Sequence, residues 1–289
     1  MNHSLEDSVL SSRDSLNKIL NTVDQWSMTM SKSGYLLSMF VICFSSAHAA
    51  TINVNTTLSG MRSDNLCSIA EAITAANQDH PVDGCASGNG EDTLLLEAEN
   101  YVLSDVDNIN DGPNGLPVIQ SSIIIQGIGE HTIRTFISRD AKVVVDPSIP
   151  FTDPNPAMRI FRVENDGKLE LRNLGVVGGF LGLKRGFPEI EDGSLDFQGA
   201  GILSTGLLSL HHVEIGGNIA AGNGGGIYFI GQLEISNSTF RFNQAFESGG
   251  AVAGAGTLIM RQSVAHNNSA GNSRGFGPSD VNVSASGGA

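Results

Sequence analysis

Basic residues are scarce in this sequence of 289 residues. Lysine and arginine together number 16 against 30 aspartates and glutamates, so the formal net charge is −14 at pH 7. A surface of that sign repels phosphate backbones and anionic lipid headgroups, which excludes nucleic acid as a partner. It attracts cations, although simple solubility accounts equally well for the acidic excess.

Catalytic signatures are missing as well. The sequence contains no P-loop, nucleophile elbow, H-E-x-x-H motif or dinucleotide-binding fingerprint. Tryptophan and tyrosine, whose flat rings suit sugar faces, occur only at Trp26, Tyr35, Tyr101 and Tyr228. We therefore predict no cofactor, and the composition favours a binding or structural protein over an enzyme.

The only export-like apolar run is short and lies near the start. Residues 35–44 are apolar, Lys32 precedes them, and Ala47-His48-Ala49 follows. This order is typical of a secretory signal peptide, and the run is too short to span a bilayer comfortably. We predict a signal peptide at 30–49 that is cleaved near Ala49, with a buried core segment as the alternative interpretation. The mature chain, residues 50–289, is then secreted or at the cell surface without a transmembrane segment.

Residues 1–29 have no export character. They are either translated from a start codon assigned too early or form a genuine leader. Residues 1–49 carry three basic and four acidic side chains, so the mature chain keeps 13 basic and 26 acidic ones. Its net charge is therefore about −13, which leaves the charge argument unchanged.

Cysteine is rare, with three residues in all. Cys43 lies in the predicted signal peptide, which leaves Cys67 and Cys85. An even pair in an exported chain favours a disulfide, which here stabilises by on the order of 3 kcal/mol in the chain-entropy model. A metal site at this place needs more ligands than His80 alone supplies.

Glycine, in contrast, is abundant and recurs at a fixed interval. Three ungapped segments begin at Gly199, Gly224 and Gly249, 25 residues apart, and the same interval separates Asn218, Asn243 and Asn268. Within each segment apolar residues alternate with polar ones, as in strands with one buried face. A fixed period of this size is typical of a stacked solenoid.

We therefore predict an all-β fold, a right-handed parallel β-helix of about 25 residues per coil. Leu208, Leu233 and Leu258 then form an internal column, and the three asparagines form a ladder of amides. Earlier coils are indicated at 92–103, 121–129 and 167–179. Gly167 is the residue equivalent to Gly206 in the preceding coil. The two glycines are 39 residues apart instead of 25, so an insertion is predicted at 180–198.

A short capping helix is predicted near the start of the mature chain. Ser68 and Glu71 form a capping box, and Ile69, Ala72, Ile73 and Ala76 follow at helical spacing. A solenoid needs its open end covered, so residues 50–90 are interpreted as an N-terminal cap.

The cap carries a family resemblance. Residues 67–77 read C-S-I-A-E-A-I-T-A-A-N and resemble the C-S-L-R-E-A-I-x-A-A-N motif that opens a family of bacterial exported β-helix proteins. The family's second cysteine resembles Cys85, and its D-T-I-x-L strand with a following tyrosine resembles Asp92–Leu96 and Tyr101. Its G-L-P-x-I segment resembles Gly115–Ile119. The 25-residue units resemble the repeats of polymorphic outer-membrane proteins. Ala70 stands where the family has arginine, so any contact of that arginine is absent. The resemblance implies a secreted or surface β-helix and no particular activity.

The regular coils offer little chemistry. A polysaccharide enzyme needs acidic side chains on neighbouring outward positions. Two columns of outward-facing residues are predicted along the stacked coils. The first consists of Glu170, Ser209, Glu234 and Ile259, and the second consists of Arg172, His211, Ser236 and Arg261. His211 and His212 are adjacent in a strand and point to opposite faces, so we interpret them as structural.

Two irregular loops are the better candidates for function. In the loop 104–112, Asp105, Asp107 and Asp111 have a spacing that imitates a calcium loop, but Ile109 falls where an oxygen ligand is needed. A solvated turn is the alternative. The insertion at 180–198 is the second loop, and its charged residues are Lys184, Arg185, Glu189, Glu191, Asp192 and Asp196.

Together these patterns predict an exported, non-catalytic β-helix that presents a surface for adhesion or binding, with a polysaccharide or another cell-surface ligand as partner. The alternative is a polysaccharide lyase or glycoside hydrolase of the parallel β-helix type, which rests on fold analogy alone.

Overall fold

The computed structural model of the chain describes residues 49–97, 99–129, 132–140, 156–182 and 194–271. The chain divides into the units Met1–Ser46 and Ala47–Ala289, and every described residue belongs to the second. The predicted leader, and the predicted signal peptide except Ala49, lie outside the described residues. Within the described part, no helix is long and apolar enough to cross a membrane.

Strands dominate the described residues and pair in parallel to form three sheets. The first sheet contains β1 (Thr51–Asn53), β2 (Glu91–Leu95), β4 (Ser122–Gln126), β6 (Phe161–Val163), β7 (Lys168–Arg172), β10 (Ile202–Ser204), β11 (Leu207–His211), β14 (Ile227–Ser236) and β17 (Val252–Arg261). The second contains β3 (Asn100–Leu103), β5 (Thr135–Arg139), β8 (Leu174–Val177), β12 (Glu214–Gly216), β15 (Thr239–Arg241) and β18 (Val264–His266). The third contains β9 (Phe180–Leu181), β13 (Ile219–Ala220), β16 (Gln244–Ala245) and β19 (Ser269–Ala270). The predicted all-β, parallel character of the fold is confirmed.

From Lys168 onward the chain visits the three sheets in turn, and equivalent residues of successive coils lie opposite one another. Leu208 lies opposite Leu233, which lies opposite Leu258. Leu208 and Leu233 are buried, whereas Leu258 is 44% exposed because no further coil follows it among the described residues. The 25-residue period is therefore the spacing of stacked coils.

The earlier coils also pair as the sequence predicts. Leu169 lies opposite Leu208, Ile123 opposite Leu169, and Asp92 opposite Ile123. In the third sheet Leu181 still pairs with Ala220, 39 positions later. The inserted residues therefore follow Leu181, within the predicted insertion.

One helix, α1 (Ile69–Gln78), is present in the described part. The predicted capping box is formed: the Ser68 hydroxyl accepts a hydrogen bond from the Glu71 backbone, and the Glu71 carboxylate accepts one from the Ser68 backbone. Its predicted apolar face is buried and packs against β2 and β4. Cys67 and Cys85 form the predicted disulfide beside it. Ala70 is fully buried, so an arginine at this position has no room without a change in the cap.

The predicted asparagine ladder runs through the stacked bends. The Asn218 amide donates to Asn243 Oδ1 at 2.9 Å, and the Asn243 amide donates to Asn268 Oδ1 at 2.9 Å. Each amide also donates to a backbone carbonyl of the preceding coil, and Asn218 and Asn243 are fully buried. The ladder satisfies polar groups at a bend where the strand ladder is interrupted.

We expect Asn243→Ala to lower the free energy of unfolding by about 2–3 kcal/mol, because it leaves buried amide partners unpaired on both neighbouring coils. Chemical denaturation of the purified protein measures this loss. Asn268→Ala is the matched control: Asn268 lies at the partly exposed end of the ladder, so its loss should be about half as large. Equal losses at the two positions would contradict a buried ladder.

Candidate functional site

The two loops singled out from the sequence meet at one buried arginine, Arg159. Its guanidinium donates to the backbone carbonyl of Asp111 and to Asn114 Oδ1 on one side, at 2.9 and 2.7 Å. On the other side it donates to the backbone carbonyls of residues 195, 196, 198 and 199, among them Leu195 at 2.9 Å. The loop around Asp111 and the end of the insertion are therefore joined through Arg159.

Arg159 is fully buried, and its partners are carbonyl and amide oxygens rather than a carboxylate. Burial, assisted by the neighbouring charge of Arg162, lowers the pKa of Arg159 to about 9. The group stays charged at neutral pH, and its N–H donors are used on loop backbone. This geometry fixes the two loops and leaves Arg159 no free donor face for a ligand.

The three aspartates of the loop 104–112 do not gather around one point. Asp111 Oδ2 accepts from Arg162 at 2.6 Å, Asp105 accepts from the Ser104 hydroxyl, and Asp107 accepts from the Asn108 amide. In the described ranges, no group of three or more His, Cys, Asp or Glu side chains is placed to hold a metal ion. The structure thus shows a hydrogen-bonded turn at these residues.

The insertion at 180–198 is described only in part. Lys184, Arg185, Glu189, Glu191 and Asp192 lie outside the described residues. Asp196 is described, and it contributes its backbone: Arg159 donates to its carbonyl, and Gly112 of the other loop packs against the same carbonyl. Asp196 therefore contacts Arg159 and the other loop through its backbone carbonyl.

The outward columns of the first sheet have the predicted register. Glu170 lies opposite Ser209, Ser209 opposite Glu234, and Glu234 opposite Ile259. They border a polar cleft of about 250 Å³ that His211 and Arg261 also line. Each carboxylate already has a partner, because Glu170 accepts from Arg172 and Glu234 accepts from Gln232, both at 2.6 Å.

The two adjacent histidines have different surroundings. His211 is exposed, and its Nδ1 lies 2.8 Å from the Ser236 hydroxyl. His212 lies at the bend with a positive φ, as do Asn173, Asn237 and Gln262 in the other coils. Its Nδ1 is 3.0 Å from Asn173 Oδ1. His212 therefore belongs to a column of polar residues at this bend, together with Asn173, Asn237 and Gln262.

A second cleft lies on the outer face of the second sheet, and the sequence did not reveal it. It has a volume of about 400 Å³, and its lining is mostly apolar. Gly216 and Gly217 leave space in it, Phe136 and Phe242 border it, and Arg241 is ion-paired with Glu214 beside it at 2.6 Å. We refer to this site, lined by Phe136, Glu214, Gly217, Arg241 and Phe242, as the second-sheet cleft.

Phe242 is the unusual residue of the second-sheet cleft. Its φ is 57°, in the left-handed region, and its side chain is 55% exposed. The equivalent positions in three other coils are Gly178, Gly217 and Asn267, residue types that adopt this conformation readily. The repeat alignment contains this signal, since phenylalanine stands in a glycine and asparagine column.

The polar groups of the second-sheet cleft surround the Phe242 ring. The Arg241 guanidinium lies 5.9 Å from the ring centroid, and the His266 ring meets it edge-on at 6.2 Å. Arg241 thus contributes both a charge beside an aromatic face and free donors beside the Glu214 carboxylate.

In comparisons with protein-family models and with curated proteins, this sequence matches none of them.

Proposed function

We propose that this chain is an exported, right-handed parallel β-helix protein of the cell exterior that binds a surface ligand through its outer faces and has no catalytic activity. The handedness follows the general rule that crossovers between parallel strands of one sheet are right-handed. Export rests on the sequence pattern at 30–49 and is supported by the disulfide between Cys67 and Cys85.

The observation that carries the proposal is Phe242. A bulky residue in the left-handed region costs on the order of 1–2 kcal/mol. More than half of the Phe242 side chain is exposed to water, and this exposed part contributes no burial to the fold. Backbone strain of this kind concentrates at ligand-binding and catalytic sites. An aromatic ring kept in this conformation beside a cleft is therefore best explained by a ligand that it contacts.

The chemistry of the second-sheet cleft suits a neutral, hydroxyl-rich ligand such as a polysaccharide. An apolar wall and a few polar groups are the usual composition of a ligand site, and about 400 Å³ lies within the usual range of volumes. The partly positive C–H groups of a sugar ring pack favourably on the negative face of Phe242. Arg241 supplies donors and Glu214 supplies acceptors for hydroxyl groups.

Phe242→Asn tests this proposal, because asparagine occupies the equivalent position in the next coil. We expect the free energy of unfolding to rise by about 0.5–1 kcal/mol as the strain is relieved. Binding to fixed cells or to a panel of soluble neutral polysaccharides should weaken at least tenfold, which corresponds to about 1.4 kcal/mol. Denaturation and affinity electrophoresis measure the two effects on the same preparations.

Leu207→Ser is the matched control, because Leu207 is 47% exposed on the first sheet, away from the second-sheet cleft. It should leave both stability and binding nearly unchanged. A large loss of stability in Phe242→Asn with unchanged binding would show that the ring serves the fold. Release of sugar fragments from any of the polysaccharides would contradict the proposal that the protein has no catalytic activity.

A further inference from the structure

Asp92, at the start of β2, is a buried carboxylate that the proposed function does not use. Its side chain is fully buried, and Oδ2 is the one buried side-chain polar atom without a hydrogen-bond partner in the described part of the chain. Oδ1 accepts from the backbone of Asn89 at 2.7 Å. Burying a carboxylate with an unpaired oxygen and no cation beside it costs free energy. A further hydrogen-bond donor at Oδ2 would therefore stabilise the fold.

The second donor to Oδ1 comes from Ala50, whose backbone nitrogen lies 3.2 Å away. Ala50 is held in place independently of that contact, because its carbonyl accepts from Thr93 at 2.8 Å and β1 begins at the next residue. Ala50 is also the residue that follows the Ala47-His48-Ala49 cleavage pattern. The backbone nitrogen of Ala50 therefore belongs to the predicted cleavage site and also donates to the buried carboxylate of Asp92.

We infer that Asp92 is the binding site for the α-ammonium group that signal-peptide cleavage creates at Ala50. Hydrolysis of the Ala49–Ala50 peptide bond consumes one water, leaves a carboxylate on Ala49 and an amine on Ala50, and the amine takes up a proton. An amide with one N–H becomes an ammonium with three, enough to reach both oxygens of Asp92. Processing thereby completes an ion pair under the cap. The inference rests on the export and cleavage that form part of the proposed function.

Charge favours the same arrangement. In the unprocessed chain, burial raises the pKa of the Asp92 carboxyl, and the Asp79 carboxylate at the end of α1 adds to this effect. Asp79 is itself held by the Gly90 backbone at 3.1 Å. Among the described groups acting on Asp92, the only charged side chain is thus another anion, and an ammonium at Ala50 supplies the missing positive charge.

The ion pair has a defined pH dependence. An ammonium that gains a partner on folding has a pKa above its unfolded value of about 7.7–8.0. Its stabilisation is therefore fully present below that value and is lost as the pH rises through the folded pKa. Each unit by which the pKa is raised corresponds to about a tenfold change in the unfolding constant.

The test uses the whole gene, expressed with its own leader in a secreting host. Four proteins are compared: wild type, Asp92→Asn, a chain with Gly-Ser inserted between residues 49 and 50, and the combination of both changes. The insertion moves the new ammonium away from Asp92 while the cap keeps its sequence. Mass spectrometry identifies the first residue of each product, and chemical denaturation gives the unfolding constants at pH 7.

We expect the wild-type product to begin at Ala50. Asp92→Asn should then raise the unfolding constant at least tenfold in the wild-type background and less than about threefold in the inserted one. A product that begins at another residue overturns the predicted cleavage, and the inference with it. A product that begins at Ala50 but shows equal effects of Asp92→Asn in both backgrounds overturns the inference alone.

A direct titration keeps the test decisive if Asp92→Asn does not fold. The rate at which the wild-type α-amino group is acylated, followed by mass spectrometry across pH 6–11, reports its pKa. A pKa raised above the usual 7.7–8.0 supports the ion pair, and a value within that range contradicts it. Binding through Phe242 is measured separately, so failure of the ion pair leaves the proposed binding function intact.

Discussion

Arg159→Met is expected to lower the free energy of unfolding by about 3–5 kcal/mol, among the largest effects of any single substitution in this chain. Methionine fills a similar volume but donates no hydrogen bond. The carbonyls of residues 111, 195, 196, 198 and 199, together with Asn114 Oδ1, then lose a donor. The bonds to residues 198 and 199 and to Asn114 are buried, so water does not replace the donor there. Because these oxygens belong to the backbone or to a buried amide, no apolar replacement removes them as well.

Arg159→Lys separates the charge from the geometry. Lysine keeps the positive charge but offers its donors from a single point, so it cannot serve the two loops at once. It should recover less than half of the loss. Equilibrium unfolding in urea measures each variant, and hydrogen exchange at residues 104–114 and 194–199 should show both loops opening together.

Arg172→Met is the matched control, because Arg172 is 37% exposed on the outer face and pairs with Glu170 of its own strand. Its loss should stay below about 1 kcal/mol, the usual value of an exposed ion pair. If Arg159→Met were no worse than Arg172→Met, the role of Arg159 in fixing the loops would be wrong.

Arg159 also marks where prediction from the sequence stops. The coils were predictable because the repeat carries its own register: Leu208 and Leu233 must align if the glycines and asparagines around them align. The loops carry no period, so their acidic residues suggested chemistry. In the structure Asp111 and Asp196 contribute backbone carbonyls to Arg159, a contact made through main-chain atoms that side-chain patterns do not encode.

The second-sheet cleft was hidden for a different reason. Gly217 and Phe242 share one position of the repeat, and only the backbone conformation shows that this position requires a positive φ. Once that is known, phenylalanine there becomes an exception that needs an explanation. Asp92 is a similar case: it reads as the first residue of a strand motif, and its unpaired oxygen becomes visible only when the cap is folded over it.

The second large effect is expected at the disulfide. Replacing both Cys67 and Cys85 by alanine should lower the free energy of unfolding by about 3 kcal/mol, because the bridge joins residues 18 apart and restricts the unfolded chain. Both cysteines are buried beside α1, so the bridge also holds the helix over β2 and β4. Reduction of the wild-type protein should reproduce the loss under the same conditions.

This loss should remain local, because a coil in a solenoid contacts only its neighbours. We expect hydrogen exchange to accelerate in α1 and in β1, β2 and β4, while the amides around Asn243 keep their protection. Ser68→Ala, which removes only the hydroxyl of the capping box, is the control and should cost about 1 kcal/mol. Uniform acceleration across all coils would instead show that the chain unfolds as one cooperative unit and that the cap stabilises every coil equally.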